Sequence, residues 1–461
     1  MSDRLKILIV SSKGPRYSAN LGGDIAGVLK KHGCEVDFLT RYKSEGDVGF
    51  NLYSVYDCEE PESAGDKLEK RLPVPVFKMV DKCFKAARRW YREIVYTFSK
   101  KRKLSAYAFN KGFVYPDESR PAISDERLLT AIPPDKKYDL IITLFWQGMI
   151  NSTSVRTLYN EYNVPVYIYS VDMAPMTGGC FYFNSCDHYK HECGQCPCLL
   201  SSDKNDISHN NYVTKLHNYS DADIFYLGNS WMLDKARASR LFGEDKLLHS
   251  GIIIDENSFY PAIPGSARKQ LGLPAEKDLI VLARSSAEYR KGSHILSYAI
   301  KHVWDDLSQD KRKRFLVLII GDNTLNKNLR KDGIPVMNLG YVNKNTLVTA
   351  YQASSLFLNP STDDAGPSMV NQSIMCGTPV VSYNIGTASD VIENGVSGFK
   401  TDDITKEAFA YTLKSAIDAV VDGNFPQIMK TTREKALEHN SPEVFADKLL
   451  NHYLTRFHET V

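Results

Sequence analysis

Short apolar runs recur along the chain, each closed by glycine or a polar cluster and then followed by residues at helical spacing. Residues 5–10, 34–39, 138–144, 164–170 and 224–227 form a first set. Residues 279–283, 315–320, 336–339, 356–358 and 378–382 form a second. Runs this short and this continuous read as strands buried on both faces. Between them, apolar residues three and four apart mark helices. Ile25, Val28 and Leu29 follow the first run, and Met369, Val370, Ile374 and Met375 lie between the last two. Strand alternating with helix predicts parallel sheets covered on both sides. Residues 262–274, rich in proline and glycine, read as a linker between the two sets.

Residues 67–103 break this rhythm. They carry thirteen Lys or Arg against three acidic residues. Phe77, Val80, Phe84, Ala87, Tyr91, Ile94 and Phe98 share one helix face, and Lys78, Lys82, Lys85, Arg89 and Arg92 run one residue behind. Such a helix can lie on an anionic membrane surface with Trp90 as an anchor. It can equally pack its apolar face inward and leave the basic stripe solvated. Both readings stay open on the sequence.

Composition narrows the function. The chain has 461 residues, 43% hydrophobic and 24% charged, with a net charge of +2. That is a globular protein of two or three domains with no global field for nucleic acid. The first apolar run is too short for a secretory h-region, and no run nears the roughly 20 residues of a membrane span. The expectation is a cytoplasmic protein with reduced thiols.

One stretch carries the chemistry. In residues 359–382, NPSTDDAGPSMVNQSIMCGTPVVS, a strand breaks at Pro360-Ser361 and a loop runs through Asp363, Asp364, Ala365, Gly366 and Pro367. A helix follows over 368–376 and Gly377 stops it. A helix start presents unpaired N–H groups and can hold a phosphate. The stretch resembles the donor-binding segment of retaining glycosyltransferases of family 4. Pro360-Ser361, Asp364, Gln372 and Gly377-Thr378-Pro379-Val380-Val381 fall in that family's places. Asp364 and Gln372 stand where the family has two glutamates. The resemblance implies that Asp364 lies by the donor sugar, that Gln372 holds the ribose, and that Gly366, Pro367, Ser368 and Met369 form the helix start at the diphosphate.

Further places extend the resemblance. Arg284 ends a predicted strand and Lys291 precedes Gly292, as do the family's two diphosphate-binding cations. Gly340 falls in a loop that the family sets by the nucleobase. Gly22 and Gly23, read as closing the loop after the first strand, would face the donor diphosphate.

A second segment runs from Asp172 through Thr177-Gly178-Gly179-Cys180 to Cys186, Cys193, Cys196 and Cys198. The thiols of Cys180, Cys186, Cys193 and Cys196 could close a structural zinc site, with His188 or His191 replacing one of them. Reduced thiols packed without metal are the other reading, and a disulfide is disfavoured. The segment resembles a subgroup of those transferases that builds bacterial capsules, O-antigens and exopolysaccharides, with Val171 where the subgroup has histidine. It implies that Asp172 orients the acceptor hydroxyl, although a loop-capping role fits it as well.

The resemblance therefore implies the GT-B architecture, α/β with two Rossmann-like doubly wound domains facing across a cleft. The expected parts are an acceptor-side domain over 1–260 with a basic helical insertion at 67–113 and a Cys-rich loop at 172–200. A linker at 261–275, a donor domain at 276–435 and a helix within 436–461 returning to the first domain complete it. The implied function is transfer of a hexose-type sugar, with retention, from a nucleotide-diphosphate sugar to a hydroxyl of a glycan, lipid-linked at the inner membrane face. No cofactor is needed for that chemistry, and a silent homologue acting as a nucleotide- or glycan-binding subunit is the alternative. No Gly-x-Gly-x-x-Gly follows the first run, which disfavours a nicotinamide enzyme.

Overall fold

The computed structural model describes residues 4–44, 49–59, 117–183 and 185–458. The basic helix expected within 67–113 lies outside the described residues. Two parallel sheets form, one in each half. The first contains β1 (Lys6–Ser11), β2 (Glu35–Tyr42), β3 (Asn51–Tyr56), β4 (Leu140–Leu144), β5 (Val166–Tyr169), β6 (Ile224–Gly228) and β7 (Leu247–His249). Their order is β3-β2-β1-β4-β5-β6-β7. The second contains β8 (Leu279–Ser285), β9 (Phe315–Gly321), β10 (Val336–Gly340), β11 (Leu356–Asn359), β12 (Val380–Tyr383) and β13 (Phe399–Thr401), ordered β10-β9-β8-β11-β12-β13.

Each sheet reverses its order beside its first strand. β1 pairs with both β2 and β4, and β8 with both β9 and β11. Chains leaving these central strands go to opposite faces, so a crevice opens at their carboxyl ends. The central strands are covered on both faces, and Ile7, Leu8, Ile9 and Val10 are fully buried. This is why they read as unbroken apolar runs. The linker is not featureless, since a short helix, Pro264–Gln270, starts on its proline. The helix Ser230–Ser239 is capped by Asn229, whose side chain accepts the Met232 N–H. Among the described residues no helix is long and apolar enough to cross a membrane.

The chain crosses between the domains at residues 250–254 and again at Asn440. The Asn440 side chain donates to Ile252 O at 2.7 Å and to Asn371 Oδ1 at 2.8 Å. Its carbonyl accepts the Ile254 N–H at 2.9 Å. One buried residue thus ties the outgoing strand, the returning chain and a helix of the second domain. The last helix, Pro442–Phe457, then packs on the first sheet. Phe445 lies edge-on to Tyr169 with ring centroids 5.6 Å apart, and His452 Nδ1 meets the Tyr167 hydroxyl at 3.0 Å.

Asn440→Ala leaves the buried Ile252 carbonyl without that donor, which costs about 1–3 kcal/mol. Urea unfolding should show a lower midpoint at unchanged slope. A loss under about 0.5 kcal/mol would mean that packing alone holds the crossing.

Candidate active site

A cleft of about 230 Å³ lies between the carboxyl ends of the two sheets. The first domain lines it with Leu21, Phe145, Val171, Tyr182 and Ile252. The second supplies Arg284, Lys291, residues 357–361, Asp364 and residues 366–369.

Local backbone geometry places Lys291. After β8 the chain makes one tight turn, Tyr289–Lys291, and Gly292 then enters the next helix at φ +71°. A Cβ on Gly292 would stand 2.4 Å from Pro360 O, so glycine is required both for the left-handed conformation and for the close approach. Ser293 closes the loop, donating to Ser286 O at 2.8 Å and accepting the Ser286 N–H at 2.9 Å. Lys291 is thereby aimed at Asp364, with which it forms an ion pair. Arg290 reaches the same carboxylate oxygen at 3.2 Å and donates to Asp363 O at 3.1 Å. Its guanidinium lies 3.9 Å from the centre of the Tyr182 ring, contributed by the first domain.

These groups set one another's charge. Burial works against the Asp364 carboxylate, but Lys291 and Arg290 outweigh it and hold the group below its ordinary value. Burial pulls the Lys291 ammonium down, and Asp364 offsets part of that. The helix Ser368–Met375 begins beside them at Pro367, and no side chain caps it. Gly366 stands at φ +153°, where a Cβ would lie 2.8 Å from Ile252 of the facing domain. Asn229 donates to Ala365 O at 2.6 Å from that same domain. Two cations, an exposed Arg284 and an uncapped helix start make an anion site fitted to phosphate.

The cleft therefore unites Arg284, Lys291, Asp364, Gly366, Pro367, Ser368 and Met369. Other expected residues lie elsewhere. The first helix, Tyr17–Lys31, starts earlier than read, so Gly22 and Gly23 sit inside it and not in the preceding loop. They are packing positions: a Cβ on Gly22 would meet the Phe38 ring at 2.9 Å, and the Gly23 N–H donates to Pro15 O at 2.9 Å. Leu21 lines the cleft in their place. Gly340 ends β10 and does not line the cleft. Gln372 is buried and accepts the Tyr351 hydroxyl at 3.2 Å, behind the cleft wall.

Asp172 is 8% exposed, directly after the cleft-lining Val171. It accepts the Ala174 N–H at 2.9 Å, which is the loop-capping role, and Gln147 Nε2 at 2.5 Å. Burial raises its carboxyl to about 6, opposed by those two bonds and by the Lys215 charge.

Cys180, Cys186, Cys193 and Cys196 come together with His188 around a cavity of about 20 Å³. Among the described residues, however, no three of His, Cys, Asp or Glu are grouped to hold a metal ion, and no disulfide joins the four thiols. The sulfurs take local partners instead. Cys193 accepts the Gly178 N–H at 3.2 Å, and Cys186 accepts the backbone of His188. Burial pushes these thiols up, that of Cys193 to about 12. They read as reduced packing groups.

Three contributors were missed by sequence reasoning. Arg290 sits in plain view before Lys291, but adjacent cations read as a surface pair. Tyr182 and Asn229 carry no local signal, because their partners lie in the other domain.

Residues 266–430 match the family model described as glycosyl transferases group 1. A D-inositol 3-phosphate glycosyltransferase of Rhodococcus jostii is 24% identical over 210 residues, 43% of this chain and 45% of that protein. The chain spans less than half the length of the curated relatives it matches. Among solved structures, Alr3699/HepE of Anabaena in complex with UDP and glucose superposes with a TM-score of 0.55 at 15% identity, covering 98% of this chain and 100% of that one. Sucrose-phosphate synthase of Thermosynechococcus elongatus gives 0.58 at 17%, covering 99% and 100%. These likenesses show the GT-B fold.

The depressed Asp364 carboxyl stabilises the fold above its ordinary pKa and loses that contribution as pH falls through the lowered one. Arg290→Met should cost roughly 1–3 kcal/mol at neutral pH, measured by urea unfolding. The difference should narrow as pH falls through the carboxylate range, because the carboxyl protonates in the variant first. A loss that does not change with pH would assign Arg290 to packing on Tyr182 alone.

Proposed function

We propose that this chain, which carries a glycosyl transferases group 1 domain at residues 266–430, is a retaining glycosyltransferase. It moves a hexose-type sugar from a nucleotide-diphosphate sugar to a hydroxyl of a glycan acceptor. The observation that carries the reading is the cluster of Lys291, Arg284 and the uncapped start of Ser368–Met375 around one cleft. The leaving group of such a reaction is a nucleoside diphosphate, and its developing charge needs cations held ready before the bond breaks. Lys291 and Arg284 serve that need, and Arg290 keeps Asp364 engaged when the diphosphate takes Lys291. Asp364 is then left beside the sugar.

Fixed cations and a helix start supply the charge stabilisation, so a divalent ion is not required in this scheme. The departing phosphate removes the acceptor proton, and Asp172 orients the acceptor hydroxyl. The Anabaena structure named above holds UDP and glucose, which favours a UDP-sugar as the first donor to test. A lipid-linked acceptor in bacterial surface polysaccharide synthesis follows from the Cys-rich segment and from the basic stretch 67–103, whose charge suits an anionic membrane. The bonds that occupy Asp364 and Gln372 are those a silent nucleotide-binding relative would also keep.

The test is nucleotide release from a panel of UDP-, GDP- and ADP-sugars, with and without chelator, and product anomer by NMR. Release of one nucleotide should be indifferent to chelator and fall by about 10²–10³ in Lys291→Ala. Clear nucleotide binding without release, even with glycan acceptors supplied, would favour the silent relative. An inverted product would remove the retaining mechanism.

A further inference from the structure

We propose that Lys215 and Glu118 are a positioning pair beneath the cleft, which pins the loop 172–180 and supplies the counter-charge for Asp172. The proposal rests on the reading of Asp172 as the group that orients the acceptor. Lys215 comes from the helix Ile207–Tyr219, and its side chain is 0% exposed. Glu118 is 1% exposed, with 3.1 Å between Lys215 Nζ and Glu118 Oε1. The ammonium also donates to Ala174 O and Thr177 O, each at 2.7 Å. Three acceptors use its three donors, which no neutral side chain could match. The second Glu118 oxygen accepts the N–H and the hydroxyl of Ser152, both at 2.7 Å.

Taking two charges out of water costs several kcal/mol per ion, and an apolar pair of like volume would stabilise as well. The pair therefore calls for a role besides stability. Its contacts indicate that role. Ala174 O and Thr177 O bracket the short turn that follows Asp172. Asn211 donates to Gly178 O at 3.1 Å on the same loop and accepts the Glu118 N–H at 3.0 Å. A Cβ on Gly178 would lie 2.2 Å from Ser208 O, so the loop is pressed flat on the Lys215 helix. Lys215 thus grips one loop at both ends of its turn, and Glu118 holds Lys215 from behind.

The charge also lies close to Asp172, since Ala174 takes the ammonium on its carbonyl and gives its N–H to the Asp172 carboxylate. The ionisable groups set against that carboxylate are Lys215, Tyr182 and Tyr226. Burial pushes both phenols up, so they stay neutral. Among the described residues Lys215 is the cation that favours ionised Asp172.

Lys215→Met alone leaves Glu118 orphaned and risks unfolding, so the decisive variant is Lys215→Met with Glu118→Gln, compared with wild type and Asp172→Asn. Two readouts are taken: amide hydrogen exchange, and the pH profile of nucleotide release from whichever UDP-, GDP- or ADP-sugar wild type turns over. In the double variant, amides of 172–180 should exchange about tenfold faster while the central strands keep their protection. The acid limb should move to higher pH by about half a unit or more, because removal of the cation raises the Asp172 carboxyl. Unchanged exchange in the loop, or an unmoved acid limb, overturns the proposal. If Asp172→Asn matches wild type at every pH, the acceptor reading of Asp172 fails and takes this inference with it. If Asp172→Asn is impaired while the double variant keeps the wild-type limb, only this inference fails. No release from any sugar by wild type rejects the proposed function, and the positioning role with it.

Discussion

The Asp364 carboxylate is the charge on which the cleft depends. An anion site needs cations in place before the anion arrives, yet partly buried cations repel one another. Arg290 and Arg284 both work against the Lys291 charge. Asp364 offsets that repulsion by binding Lys291 and Arg290 together. If Lys291 turns to another anion, Arg290 remains on the carboxylate. A single Lys–Asp pair would have to break outright, leaving a buried carboxylate alone at a cost of several kcal/mol.

The same knot reaches across the domains. Arg290 stacks on Tyr182, and Asn229 donates to Ala365 next to Asp364. Gly366 leaves just enough room for Ile252, and Gly292 lets the Lys291 loop touch Pro360. Both contacts are backbone approaches that a single methyl group would block. The shape of the cleft is therefore fixed by absent side chains as much as by present ones. Asn440 holds the chain crossing behind it.

What was legible in the sequence follows physical locality. Central strands such as β1 and β8 are buried on both faces and announce themselves as apolar runs. β3, β7 and β13 lie at sheet edges, are only partly covered, and give no such run. In the site, Asp364 and Gly366 to Met369 belong to one strand–loop–helix unit, so their order along the chain predicts their meeting. Gln372 shares the helix face of Ser368 but lies one turn, about 5.4 Å, further along the axis, where Tyr351 takes it. Gly22 and Gly23 were misplaced because the polar start Tyr17-Ser18-Ala19-Asn20 gives no amphipathic signal, yet the helix already runs through it. Leu21 comes from the first helix and Phe145 and Tyr182 from two loops, and nothing in one chain position encodes the facing domain.

The first-domain wall of the cleft is built on a different principle from the second-domain wall. Residues 172–200 form only short tight turns, with Ser185, Glu192, Cys193, Gln195 and Leu200 all at positive φ. Such a backbone has little regular hydrogen bonding to hold it and must be fixed by side chains from elsewhere. The thiols fill its interior, Cys193 takes the Gly178 N–H, and Asp206 takes the Cys196 N–H at 2.8 Å. Lys215 secures the turn after Asp172. The second-domain wall thus uses the standard end of a parallel sheet, a place suited to phosphate. The facing wall is set by a loop whose form can change without disturbing either sheet, and such loops are where specificity is commonly built.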